Sequence, residues 1–179
     1  LGKALAASRI PAMTLPRATR SRSDAGPPAA ADGGGPLVPS ENVLAAIHVV
    51  SNRISRAFYA DIEARHGISL PEWRAMLTLT RHPGMAAMAV AALWGMDKMA
   101  ISRAVRRLER AGLVKRAPAR GDRRRWVLDL TPEGRRRFRA VEPAATARYR
   151  DFLKGLAARD VAQLKRLLDK LIAGTGPAD

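Results

Sequence analysis

The sequence contains no cysteine. Disulfide frameworks, thiolate metal clusters and thiol-based redox sensing are thereby excluded, and a reducing cytoplasm is the expected location. Long apolar runs are missing as well. The longest stretch without a charged side chain runs from Pro83 to Met96, well short of the ~20 residues that cross a bilayer, so no membrane partner is expected. Lys3 and Arg9 are not followed by the apolar core of a secretory signal. Catalytic signatures are equally scarce. His48, His66 and His82 lack metal-ligand spacing, the Gly33-Gly34-Gly35 run lacks the strand, helix and lysine of a phosphate loop, and no nucleophile motif occurs. No enzyme, no catalytic residues, no metal and no cofactor are expected.

Acidic side chains are few: 16 aspartates and glutamates face 32 lysines and arginines, a formal net charge of +16 across 179 residues. A surplus of this size points to a polyanionic partner, nucleic acid first, with a merely solvated basic surface as the alternative. The length suits one compact domain with flanking segments.

Residues 1–39 hold six of the 12 prolines, the triple glycine and no aromatic residue. Such a segment buries too little apolar surface to offset its ordering entropy, and a disordered or extended N-terminal tail is expected. From Ser40 the texture changes. Val43, Ile47, Val50, Ile54, Phe58 and Ile62 recur at helical spacing, giving a first helix within 40–68 that stops at Gly67. Ser69 and Glu72 form a capping-box pattern with Pro71 in the first turn, opening a second helix that carries Trp73, Met76, Leu77 and Leu79 and ends at His82-Pro83-Gly84. A short helix from Met88 to Trp94, a turn at Gly95-Met96 and a helix capped by Asp97 follow. Gly112 closes that helix. Leu113-Val114 begins one strand, Trp126 to Leu130 alternates as a second, and residues 118–125 lie between them as an arginine-studded hairpin. Thr131-Pro132 starts a long helix with a bend expected at Pro143. Val161, Leu164, Leu167, Leu168, Leu171 and Ile172 mark a last helix that ends near Gly174, before a tail of 175–179.

The helix after Asp97 is two-faced. Ile101, Val105 and Leu108 point to a core, while Lys98, Ser102, Arg103, Arg106, Arg107 and Arg110 point away. Two helices joined by a short turn, the second basic, then a basic hairpin, make a winged helix-turn-helix over 69–131, whose second helix enters the major groove. Residues 98–139 carry 15 lysines and arginines against four acids, so +11 of the total charge falls on this reading head. On its leading turns Lys98, Ser102, Arg103 and Arg106 reach base edges, and Arg107 and Arg110, further along, suit phosphates. At the hairpin, Arg120, Arg123, Arg124 and Arg125 are candidates for the minor groove, with Asp122 placed to hold one arginine in a fixed pose.

The runs Met96-Asp97-Lys98-Met99-Ala100-Ile101-Ser102-Arg103, Leu108-Glu109-Arg110-Ala111-Gly112-Leu113-Val114, Asp122-Arg123-Arg124 and Leu130-Thr131-Pro132-Glu133-Gly134 resemble the MarR family of regulators. The resemblance covers residues 40–173. It implies a mainly α fold with a small two- to three-stranded β-wing, and a six-helix homodimer in which the first helix and the C-terminal pair within 132–174 interlock. It also implies binding to a pseudo-palindromic operator on double-stranded DNA, and repression until a small ligand loosens the complex. Dimerisation has separate support, because the first and last helices are more apolar than a reading head of this size can cover. Two departures stand out. Met99 and Ala100 replace small polar residues on the recognition helix, so apolar contact of Met99 with thymine methyls enters in place of hydrogen bonding, and Leu93-Trp94 is more apolar than usual, leaving Trp94 either packed or exposed.

Effectors of such regulators lodge between the dimerisation helices and the reading head. His48, Ser51, Asn52, Arg53 and Trp73 offer suitable chemistry there: an imidazole or guanidinium for a carboxylate, an indole for an aromatic ring. Structural roles for His48 and Trp73 are the alternative. Two other functional readings stay open: a sequence-tolerant architectural DNA-binding protein without an effector, and a constitutive regulator.

Overall fold

The computed structural model describes residues 42–119 and 121–175; the expected N-terminal tail lies outside the described residues. Helix α1 opens at Val43, where the Asn42 side chain accepts from the backbone N–H groups of Leu44 and Ala45 at 2.9 and 3.2 Å. It runs as α-helix over Val43–Phe58, widens into a π-turn over Tyr59–Glu63 and closes over Ala64–His66. The stop is Gly67, at φ +61°, a left-handed conformation that favours glycine. The π-turn has no counterpart in the apolar spacing.

Helix α2 (Leu70–Arg81) begins with the capping box expected at Ser69 and Glu72. Its inward face is Trp73, Ala75, Met76 and Leu79, with Leu77 half-buried. Helix α3 (Ala87–Trp94) buries Val90 and Ala91, and Gly95 turns the chain at φ +56° into α4 (Lys98–Arg110). The Asp97 carboxylate accepts from Ala100 N–H at 2.8 Å, satisfying one of the open donors at the start of α4.

Strands β1 (Val114–Ala119) and β2 (Asp122–Leu130) pair antiparallel, with Val114 opposite Leu130, Arg116 opposite Leu128 and Pro118 opposite Trp126. The hairpin expected over 118–125 is paired more fully than the sequence pattern indicates. Pairing continues almost to the tip, past an irregularity at Pro118/Ala119, because Gly121 at φ +82° lets the chain reverse tightly. Met85 adds a single bridge to Leu128 on the outer edge, so a third strand is present only as that bridge. Helix α5 (Pro132–Leu153) passes through Pro143 as one continuous helix, and α6 (Ala158–Thr175) follows.

One core joins α1 to α5 and the base of the wing. Trp73 stacks on Phe138 at 4.9 Å and 6°, with Phe58 tilted against it at 6.4 Å. Around these sit Ile62, Met76, Leu79, Val90, Ile101, Val105, Leu108, Leu128 and Val141, all essentially inaccessible; burial of each such side chain contributes ~1.5–3 kcal/mol. The wing is fastened to α5 by Thr131, whose N–H donates to Leu113 O at 3.0 Å and whose hydroxyl donates to Gly112 O at 2.7 Å. Helix α6 buries no residue within the protomer.

Candidate nucleic-acid interface

Four buried residues on α4, Ile101, Ala104, Val105 and Leu108, fix the opposite face of that helix toward solvent. Lys98, Met99, Arg103, Arg106, Arg107 and Arg110 are exposed there and Ser102 is half-exposed. The helix is ~18 Å long between its first and last residues at 1.5 Å per residue. Arg106 donates to Ser102 Oγ at 3.1 Å and Arg110 Nε to Arg106 O at 3.4 Å, which aligns the three along one line.

Arg107 behaves differently from its neighbours. Its Nε lies 3.1 Å from Glu72 Oε1 and an Nη donates to Ser69 Oγ at 3.1 Å. Ser69 in turn donates its backbone N–H and hydroxyl to Glu72 Oε2 at 2.8 and 2.6 Å. The recognition helix is thus clamped to the start of α2, and only the remaining edge of the Arg107 guanidinium is left for a phosphate. Arg103, Arg106, Arg107 and Arg110 line a shallow concavity of about 340 Å³ against Pro71. Its walls carry four arginines, which favour an anion.

A second clamp ties the wing to the recognition helix. Arg116 of β1 donates from Nε to Glu109 Oε1 at 3.0 Å and from Nη2 to Oε2 at 3.4 Å. Neither the Arg107–Glu72 nor the Arg116–Glu109 pair is visible in the sequence, since each joins residues on separate elements. At the tip, Arg124 and Arg125 are exposed. The Asp122 carboxylate accepts from the backbone N–H of Arg124 at 3.0 Å, a local turn bond. Arg120 and the side chain of Arg123 lie outside the described residues.

The five residues suggested for an effector are not gathered by the fold. His48, Ser51, Asn52 and Arg53 are exposed on α1. Trp73 is 2% exposed and spends its ring on Phe58 and Phe138, because an indole on the inward face of α2 is worth more in the core than at a cavity wall.

Sequence reasoning passed over the residue beside it. Arg74 is half-buried at the junction of α2, α3 and α5, and among the described residues no carboxylate pairs with it. Its guanidinium lies 5.0 Å from the centroid of the Trp94 ring, Nη1 meets Met96 Sδ at 3.3 Å, and Nε is buried without a partner. Burial draws the Arg74 guanidinium below its usual value, opposed by Tyr149, and burial raises the Tyr149 phenol, opposed by the Arg74 charge. Trp94 packs rather than standing free: its Nε1 donates to Thr78 Oγ1 at 2.8 Å.

A basic helix and a basic hairpin, rigidly joined and presented on one side of a helical core, define a winged helix-turn-helix DNA-binding transcription regulator. Comparison with known proteins gives the family. The MarR family model matches residues 66–125. An HTH-type transcriptional repressor of Mycobacterium tuberculosis is 33% identical over 108 residues, covering 59% of this chain and 76% of its own. The homoprotocatechuate degradative operon repressor of Escherichia coli is 26% identical over 117 residues, 65% of this chain and 79% of its own. Among solved structures, CouR from Rhodococcus jostii RHA1 bound to p-coumaroyl-CoA superposes with a TM-score of 0.69 at 22% identity, over 79% of this chain and 97% of that one. The chain belongs to the MarR family, and is a transcription regulator rather than an enzyme. No helix among the described residues is long and apolar enough to cross a membrane.

Proposed function

We propose that the chain is a homodimeric, sequence-specific repressor that binds a pseudo-palindromic operator and is released by a small aromatic or carboxylate effector. The observation that carries this reading is the pairing of one exposed cationic helix with one exposed cationic hairpin, held together by the Arg116–Glu109 clamp. One such head covers half a site, and a twofold axis supplies the other.

The dimer reading is supported by the ends of the fold. Val43 and Ile172 are 68% and 69% exposed in the protomer, and Leu44, Val50, Leu164, Leu167 and Leu171 are also exposed. An apolar surface of this extent is rarely left to water. We assign dimerisation to α1, α5 and α6, and DNA reading to residues 69–131.

For the effector, two relatives point the way: one is named for homoprotocatechuate degradation and one solved structure holds p-coumaroyl-CoA. In this chain Arg74 is a half-buried cation with no carboxylate partner among the described residues, its Nε without a hydrogen bond. A carboxylate arriving beside it would gain a charge-assisted hydrogen bond that Met96 Sδ cannot match, and Trp94 and Tyr149 offer ring contacts. Because Arg74 sits between α5 and the α3–α4 turn, an occupant there acts on the spacing of the reading head.

The test is selection of a preferred duplex from random sequence at fixed salt, followed by challenge of that complex with a panel of aromatic carboxylates. Strong preference for one inverted repeat and release by a panel member are expected. Equal affinity for all duplexes would favour an architectural protein, and preference without release would favour a constitutive regulator.

A further inference from the structure

Trp126 is the one large aromatic side chain on the wing and is 50% exposed. Alternation along β2 places it on the same face as Leu128 and Leu130, both buried. The other face, carrying Arg125, Val127 and Asp129, is turned toward Pro83 and Gly84. Which way the Trp126 face looks is fixed by β1: Arg116, directly opposite Leu128, is the residue that reaches Glu109 on the recognition helix. The indole therefore lies on the side of the hairpin that faces α4, two residue pairs further out, ~7 Å toward the tip at 3.4 Å per residue. Its cross-strand partner is Pro118, which gives it a flat apolar backing but no cover.

When a recognition helix lies in the major groove and a wing reaches the neighbouring minor groove, one sugar-phosphate strand passes between them. That strand alternates phosphates with deoxyribose rings. Phosphates have their partners here in Arg107, Arg110 and Arg124, all exposed. The apolar sugars need a different surface, and an indole offers one, together with an Nε1 donor for a sugar or phosphate oxygen.

We propose that Trp126 packs on a deoxyribose of the DNA strand that runs between the recognition helix and the wing, supplying a contact whose strength does not depend on counterion release. The bland alternative is a strand residue chosen for its fit to Pro118, exposed because single apolar residues often are. This inference rests on the DNA-binding reading, and the experiment separates the two.

Affinity of the full chain and of Trp126→Ala for one selected duplex is measured across a salt series, with Arg124→Ala as the charge control. The expected result is ~5–30-fold weaker binding for Trp126→Ala at every salt concentration, with the slope of log K against log salt unchanged. Arg124→Ala should instead lower that slope by ~0.9. Emission supplies a readout that needs no altered fold: of the three tryptophans, Trp73 is buried, Trp94 is partly covered beneath Arg74, and Trp126 is 50% exposed. Duplex addition to the unaltered chain should shift or quench emission, and Trp126→Phe should abolish the change while retaining most of the affinity. Trp126→Ala binding within twofold of the parent, or an emission change that survives Trp126→Phe, overturns the indole contact alone. Absence of DNA binding by the parent overturns the reading on which it stands.

Discussion

Arg107, on the recognition helix, reaches back to Glu72 at the start of α2, with Nε 3.1 Å from Oε1. Glu72 is buried and also receives the N–H and hydroxyl of Ser69, so one carboxylate closes the capping box and holds two helices in register. The two partners should differ in cost. Glu72→Ala strips the cap and leaves the Ser69 donors without their acceptor, a loss of ~1–2 kcal/mol. Arg107→Ala removes a guanidinium whose side chain is more than half exposed, and solvent screening holds the loss below ~1 kcal/mol. Urea denaturation of both variants checks the ranking; an equal or larger loss for Arg107→Ala would show that the clamp, rather than the cap, carries the energy.

Gly134 lies in the first turn of α5, pressed against the start of the wing. A Cβ built there would stand 1.9 Å from the Leu113 carbonyl oxygen, a backbone atom that also accepts from Thr131 N–H. Neither side can yield without moving the hairpin relative to α5. Gly134→Ala should cost ~1–3 kcal/mol or more, in the range of overpacked cores, and should weaken DNA binding by displacing the wing. Gly155→Ala, where nothing lies within 4 Å, is the control and should be near neutral. Thermal melts of the two variants decide it, and comparable melting temperatures would refute the close approach.

Arg103 and Arg124 occupy the two halves of the interface and should fail differently. Arg103, exposed on the leading half of α4, is placed for base edges, where a bidentate contact to guanine contributes ~1–3 kcal/mol of discrimination. Arg103→Ala should therefore change which duplexes are preferred. Arg124, exposed on β2, should weaken all duplexes alike and flatten the salt dependence when replaced by alanine. Selection experiments on both variants at one salt concentration test this, and an unaltered preference for Arg103→Ala would remove its assignment to base reading.

How much of this was legible in the sequence follows from whether the signal is local. The caps at Ser69, Asp97 and Thr131, the stops at Gly67 and Gly112, and the two-faced α4 each depend on residues a few positions apart, and all were readable. The strands near the hairpin tip were not, because Pro118 and a run of arginines carry no alternating pattern even though pairing extends through them. Effector chemistry is legible only in part, for a related reason. His48 to Arg53 look suitable by chemistry, yet they lie on the exposed part of α1, whereas Arg74 reads as an ordinary surface charge until Trp94, Met96 and Tyr149 are brought around it. Clamps such as Arg116–Glu109 require strand register and helix placement together.

Helix α6 raises the sharpest demand on the proposed assembly. It spans Ala158–Thr175, buries nothing within the protomer, and exposes Leu164, Leu167, Leu171 and Ile172 along one stripe. A single amphipathic helix of this length is marginal in water unless its apolar face is packed. The i,i+4 pair Lys165–Asp169 lies on the helix and adds only ~0.3–0.5 kcal/mol, too little to hold it. In the proposed homodimer a second copy of the chain would supply what is missing, and Leu167→Glu with Leu171→Glu should prevent it by placing two carboxylates in the apolar contact, where desolvation without a partner is costly. Light scattering should then report a protomer of 19.4 kDa in place of a dimer, with loss of α6 helicity and a steep fall in operator affinity as the two half-sites become independent. A doubly substituted chain that stays dimeric and keeps its affinity would show that α6 lies outside the subunit contact.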